Sequence, residues 1–227
     1  MDHLTRDLIE SVLSGDYICA LRICRDALAR PEIGPERIHQ IVILPTIRAV
    51  GQAWADDSAS FEQASLAHIL LHRLLEYVAR SNGAATGMRQ AWPVHDARVM
   101  VTVAPGDTHD FGAQILSQHL RLSGWPVTFF GHRQRERVVP TLAQQRYSAL
   151  AISVSCDENL AGLADFVMTS RMASTSPKLH LMIGGAAIQP PFDQYDFLGA
   201  DRVGLAIDEV ASYLSNMTPA IPADRWN

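Results

Sequence analysis

The stretch "ARVMVTVAPGDTHDFGAQIL", Ala97 to Leu116, decides the architecture. Its opening "ARVMVTVA" is an apolar run suited to a strand buried on both faces, and from Phe111 the apolar residues recur at helical spacing. Between them lies a turn that carries Gly106, Asp107, His109 and Asp110. The pattern repeats downstream: "PVTFFG", "ALAISVS", "KLHLMIGG" and "DRVGLA" are further strand signals. Helical patterns start at Phe111, Glu136, Asn159 and Ile207. Five strand signals separated mostly by helices predict an α/β fold with a doubly wound, five-stranded parallel sheet. In such a sheet ligands bind beyond the carboxyl ends of the strands, where strand order reverses, and the Gly106 to Gly112 loop follows the first strand.

Upstream the periodicity changes. From Leu4 to about Arg80 the apolar residues recur at helical spacing (Leu8, Val12; Ile18, Leu21; Ile38, Ile41, Val42; Leu66, Ile69, Leu70, Leu74), which predicts four helices in a short bundle. Breaks are expected at Ser14 to Asp16, Arg30 to Arg37 and Ala55 to Ser60, with Ser60 as the N-cap of a helix from Phe61 to Arg80. The small-residue stretch "RSNGAATGMRQAWPVHD" reads as linker. The predicted organisation is a helical domain over 1–82, a linker over 83–96, the α/β domain over 97–217 and a tail over 218–227 that holds Trp226.

The chain has 227 residues, is 48% hydrophobic and carries a formal charge of −5. That balance argues against a broad nucleic-acid surface, whose affinity comes mainly from Lys and Arg. One basic cluster, "HRQRER" from His132 to Arg137, is expected to open the helix after the second strand, and contact with a partner protein is favoured there over contact with DNA. No apolar run reaches membrane-spanning length and the first residues lack the order of a secretory signal, so a cytoplasmic protein is expected. Cys19, Cys24 and Cys156 are at spacings that suggest neither disulfides nor a zinc site; the first two read as buried helix residues.

Read from the residues alone, His109 is either a polar loop residue that caps the next helix or a metal ligand. Asp107, two positions earlier, could accept a hydrogen bond from one imidazole nitrogen and make the other a better donor. Gly112 would admit close approach to the backbone at the helix start.

The ordered residues Asp107-Thr108-His109-Asp110-Phe111-Gly112, then Ser153-Val154-Ser155, then Gly184-Gly185 resemble the DxHxxG, S-x-S and GG elements of flavodoxin-like cobalamin-binding domains. The resemblance covers about half the chain. It implies a base-off corrinoid with His109 as the lower cobalt ligand and the nucleotide tail beside Ser153, Ser155, Gly184 and Gly185. The helical half resembles the caps of such proteins, in which a tryptophan precedes the last helix. Trp54 is then the residue over the upper face; its other reading is an aromatic core plug. Where light-sensing and methyltransferase-associated caps carry a Glu-His pair, this chain has Ala64-Ser65. His68 and His72, at i, i+4 spacing, make a poor zincin motif and read as surface or partly buried histidines, with His68 a remote candidate upper ligand.

The cap without Glu-His and the absence of a fused catalytic or helix-turn-helix segment are most similar to the AerR/PpaA photosynthesis antirepressors. That resemblance implies a light-responsive regulator acting on a DNA-binding repressor of the CrtJ/PpsR type, with adenosyl- or hydroxocobalamin as cofactor and no enzymatic activity of its own. A corrinoid carrier of a methyltransferase system, and a haem-binding redox sensor with His109 on iron, remain as alternatives.

Overall fold

A computed structural model describes residues 3–30, 33, 35–85 and 97–217, and the chain divides into two compact units, Met1–Gln90 and Ala91–Asn227. The first unit is helical: α1 (His3–Leu13), α2 (Tyr17–Leu28), the short α3 (Pro35–Ile38), α4 (Leu44–Ala55) and α5 (Phe61–Ala85). Its turns follow local chemistry. Gly15 ends α1 at φ +78°, and the Cys19 N–H donates to the Asp16 carboxylate at 2.9 Å to cap α2. Ser60 caps α5 as expected: its hydroxyl accepts from the Gln63 N–H at 3.2 Å, while Gln63 Oε1 accepts from the Ser60 N–H at 2.9 Å. Helix α5 runs past Arg80 to Ala85, three residues into the stretch read as linker, because its apolar stripe through Leu74, Leu75 and Val78 stays buried. The rest of that stretch, and the tail with Trp226, lie outside the described residues.

One element of this unit was not expected. Between α3 and α4, residues His39–Ile43 form a wide π-helical turn, closed by the Leu44 N–H on the His39 carbonyl. Its cause is Pro45, which has no N–H to give to the carbonyl four residues back. That carbonyl, on Ile41, accepts instead from the Thr5 hydroxyl of buried α1 at 3.1 Å. Cys24 is buried, with its thiol pushed up to about 12 by burial, whereas Cys19 is only half-buried. Ile38, Ile43, Leu71 and Leu74 fill the core beside Leu8.

The second unit carries β1 (Val99–Val103), β2 (Val127–Phe130), β3 (Ala149–Ser153), β4 (His180–Gly184) and β5 (Arg202–Val203), all parallel, in the order β2-β1-β3-β4-β5. This is the flavodoxin-like order, and it reverses between β1 and β3. Alternate residues serve opposite faces. Val99, Val101 and Val103 pack with Ala113 and Leu120 of α6 (Phe111–Leu122) and with Leu214 of α9 (Ile207–Met217). Met100, Leu150 and Ile152 pack with Leu142 of α7 (Val138–Gln144) and Val167 of α8 (Leu163–Ala173). Two helix starts move relative to expectation: α7 begins at Val138 rather than Glu136, and α8 at Leu163 rather than Asn159. In each case a 3₁₀ turn comes first, His132–Arg137 and Asp157–Leu160; in the first, His132 and Arg135 are held by the loop after β1. Among the described residues no helix is long and apolar enough to cross a membrane.

Candidate functional site

The loop from Ala104 to Asp110 leaves β1 at the point of strand-order reversal. Gly106 makes its turn possible at φ +82°, and the Asp107 N–H closes it on the Ala104 carbonyl at 3.1 Å. Asp107 is buried, and its carboxylate is fully used. One oxygen accepts from the His109 N–H at 2.9 Å and lies 3.1 Å from His109 Nδ1; the other accepts from the Ser155 N–H at 2.7 Å. The carboxylate therefore ties the end of β1 to the end of β3 and fixes the imidazole. The His109 side chain remains 59% exposed. With Nδ1 donating to Asp107, Nε2 is the nitrogen left with a lone pair to offer. His109 caps no helix; Asp110 holds the cap position of α6.

The other residues of the motif take different places. Phe111 is buried in the first turn of α6, and Thr108 is exposed in the loop. Ser153 ends β3 opposite Gly184 of β4. A Cβ on Gly112 would stand 3.1 Å from the Ser153 hydroxyl oxygen, and one on Gly185, at φ +118°, would run into the Val154 backbone. Gly112 thus lets the start of α6 come close to Ser153, and Gly185 lets the end of β4 come close to the Val154 backbone. The Ser155 hydroxyl is 3.4 Å from the His109 carbonyl, which it can serve as donor. Beside it the Cys156 thiol is pushed up, first by burial and then by Asp107, Glu158 and Asp157, so it is no ready nucleophile. Trp54 belongs to the helical unit, where it is 57% exposed on α4; it is not a core plug.

Asp110 points elsewhere. Its carboxylate accepts from the His132 N–H at 2.7 Å and meets His132 Nδ1 at 2.8 Å, the same two-point grip that Asp107 has on His109. Gly131 is needed here, since a Cβ would stand 2.6 Å from an Asp110 carboxylate oxygen. The segment "HRQRER" is correspondingly a tethered turn and not the opening of a helix. Arg135 donates to the Ala104 carbonyl at 3.2 Å and Arg137 lies over the Phe130 ring at 5.1 Å. Sequence reasoning missed His132 and Gly131, because residues 22 apart share no spacing signal; a Gly-His at the end of a strand was the only trace.

The arrangement is that of a flavodoxin-like ligand-binding domain with one presented imidazole held from behind by a buried carboxylate. A family model described as "B12 binding domain" matches residues 97–212, and the chain belongs to that family. It is 30% identical over 173 residues, 74% of this chain and 85% of the relative, to an uncharacterised 20.5 kDa protein in the bchF-crtJ intergenic region of Rhodobacter capsulatus. Among solved structures it is similar to the Methanosarcina barkeri monomethylamine corrinoid protein, with TM-score 0.76, 16% identity and coverage of 94% of this chain and 98% of that one. A cobalamin-binding protein from Desulfitobacterium hafniense DCB-2 aligns at TM-score 0.49 and 14% identity over 95% of this chain and 98% of that one.

The residues present fit a corrinoid. The donor set is one imidazole with a buried carboxylate behind it, a combination that suits a transition metal.

Proposed function

We propose that the chain binds a base-off cobalamin through His109 Nε2 and acts as a light-responsive antirepressor, by contact with a DNA-binding repressor of the CrtJ/PpsR type. The observation that carries this reading is the Asp107-held imidazole at the β1/β3 switch point. The regulatory part is supported by the relative whose coding region adjoins crtJ. When bound, the corrinoid supplies a cobalt centre whose upper ligand light can remove. The chain's own residues orient and hold: Asp107 fixes the tautomer of His109, and the nucleotide tail is read beside Ser153, Ser155, Gly184 and Gly185. Trp54, exposed on the helical unit, is read as the residue that responds to the upper ligand. The coupling needed between cofactor state and partner affinity is about 1–3 kcal/mol.

Absorption spectra of the purified chain in darkness and after illumination test the cofactor, since corrinoid and haem bands differ. His109→Ala should abolish or greatly weaken cobalamin binding. Repressor affinity measured for apo, dark-loaded and illuminated chain tests the regulatory step; equal affinities in all three would leave cobalamin without a signalling role. A second reading, corrinoid carrier for a methyltransferase, is favoured by the fold shared with the monomethylamine corrinoid protein over 94% of this chain. Methyl transfer in the presence of a methyltransferase partner, with no effect on a repressor, would select it. Turnover by the chain alone is expected under neither.

A further inference from the structure

Outside the corrinoid site, α5 carries a second convergence of imidazoles. His68 and His72 lie one helical turn apart, with Nε2 of one 3.0 Å from Nε2 of the other and the rings edge to face at a centroid distance of 4.7 Å. We propose that they form a chelating site for a borderline divalent metal ion of the Ni(II) or Cu(II) type. Two nitrogens 3.0 Å apart subtend about 90° at an ion about 2.0–2.1 Å from each, the usual metal–imidazole distance. That is the cis angle of square-planar and octahedral coordination, narrower than a tetrahedral zinc site asks for, and imidazole nitrogen suits both ions. In the metal-free chain one ring donates its Nε2 proton to the other; on binding, that ring carries its proton on Nδ1 and both Nε2 lone pairs face the ion.

The scaffold is rigid. Ala67, Leu70, Leu71 and Leu74 of the same helix are buried, which holds the backbone under the pair. Glu76, a turn beyond His72, is engaged by Arg80 at 2.9 Å. Both imidazoles belong to α5, and the test uses no cobalamin.

The test is calorimetric titration of the full-length, corrinoid-free chain with nickel chloride, with His3→Gln and His109→Gln in every arm to remove two further exposed imidazoles. The parent is expected to bind one Ni(II) at the pair, and His68→Gln and His72→Gln each to weaken it about a hundredfold, as loss of one arm of a two-point attachment does. Nickel should also raise the Tm of the parent and not of either single variant, because an ion that bridges one turn binds the folded helix in preference to the unfolded chain. A single variant that binds nickel as tightly as the parent, or a parent whose Tm is unmoved by nickel, overturns the proposal. Should one variant lose helix content, the other and the parent's Tm response decide it.

Discussion

Asp107 meets three N–H groups with two oxygens, and no other side chain can do so in the same space. Asp107→Asn keeps the shape but turns one oxygen into an NH₂ that faces a donor. The expected result is a loss of about 1–3 kcal/mol in stability, read from the urea midpoint. Cobalamin affinity should fall about 10–100-fold, read by spectral titration, because the imidazole is no longer oriented. His132→Ala removes the partner of Asp110, one residue from His109. It should cost about 1 kcal/mol by the same urea measurement and leave cobalamin bound more weakly than in the parent; an unmoved midpoint would mean that the Asp110 grip is idle. These two pairs show where the sequence was legible. Asp107 and His109 are two residues apart, so their chemistry can be read from the motif. Asp110 and His132 meet only because β2 lies beside β1 in the sheet, a fact that no local pattern contains.

Elements were legible where burial on both faces writes a continuous apolar run. All five strands lie within the runs that predicted them, and the cap of α5 stands on the residue the sequence named. The starts of α6 at Phe111 and α9 at Ile207 also stand where the sequence placed them, whereas those of α7 and α8 do not, since a 3₁₀ turn and a first α-helical turn share the same apolar spacing over so few residues. At this scale β4 and the residues before β5 contribute to the acid sensitivity of the second unit. His180 on β4 is held below the usual imidazole range, first by burial and then by Lys178, Arg171 and Arg202 against the pull of Asp201. Burial works to raise Asp201, but the Leu181 N–H and Arg171 outweigh it and hold its carboxyl low. Both groups bind protons more readily in the unfolded chain, so stability rises with pH. The His180 contribution is present above 6.5 and lost as pH falls toward its depressed native value; that of Asp201 is present above 3.8 and lost as pH falls through a lower one. Urea midpoints followed from about pH 7.5 down to about pH 5 should decline in the parent and stay flatter in His180→Gln. Gly185→Ala, at positive φ against the Val154 backbone, is expected to cost about 1–3 kcal/mol and to open the end of β4.

At the scale of the molecule, the second unit has its own sheet with two covered faces and its own ligand-binding loop. A fragment spanning 97–217 is therefore expected to fold cooperatively and to show a His109-dependent cobalamin spectrum. It should lack the illumination response in repressor binding that the full chain is proposed to have; a fragment that responds like the full chain would relieve the helical unit of any part in signalling. The wide turn at His39–Ile43 has a consequence for descent. It holds one residue more than an α-helical turn would; in an unbroken α-helix that residue would advance everything after it by about 100° around the axis, and the wide turn takes up most of that rotation. Val50 is buried and Trp54 exposed in this phase; keeping the residue while losing the wide turn would carry both round together and out of these surroundings. Substitutions alone cannot drift gradually from one phase to the other. Homologues without Pro45 and the wide turn are expected to carry their aromatic residue one position nearer to the counterpart of Ile38, so a gap at this turn, and not a mismatch at the tryptophan, is the mark by which an alignment should separate the two lineages.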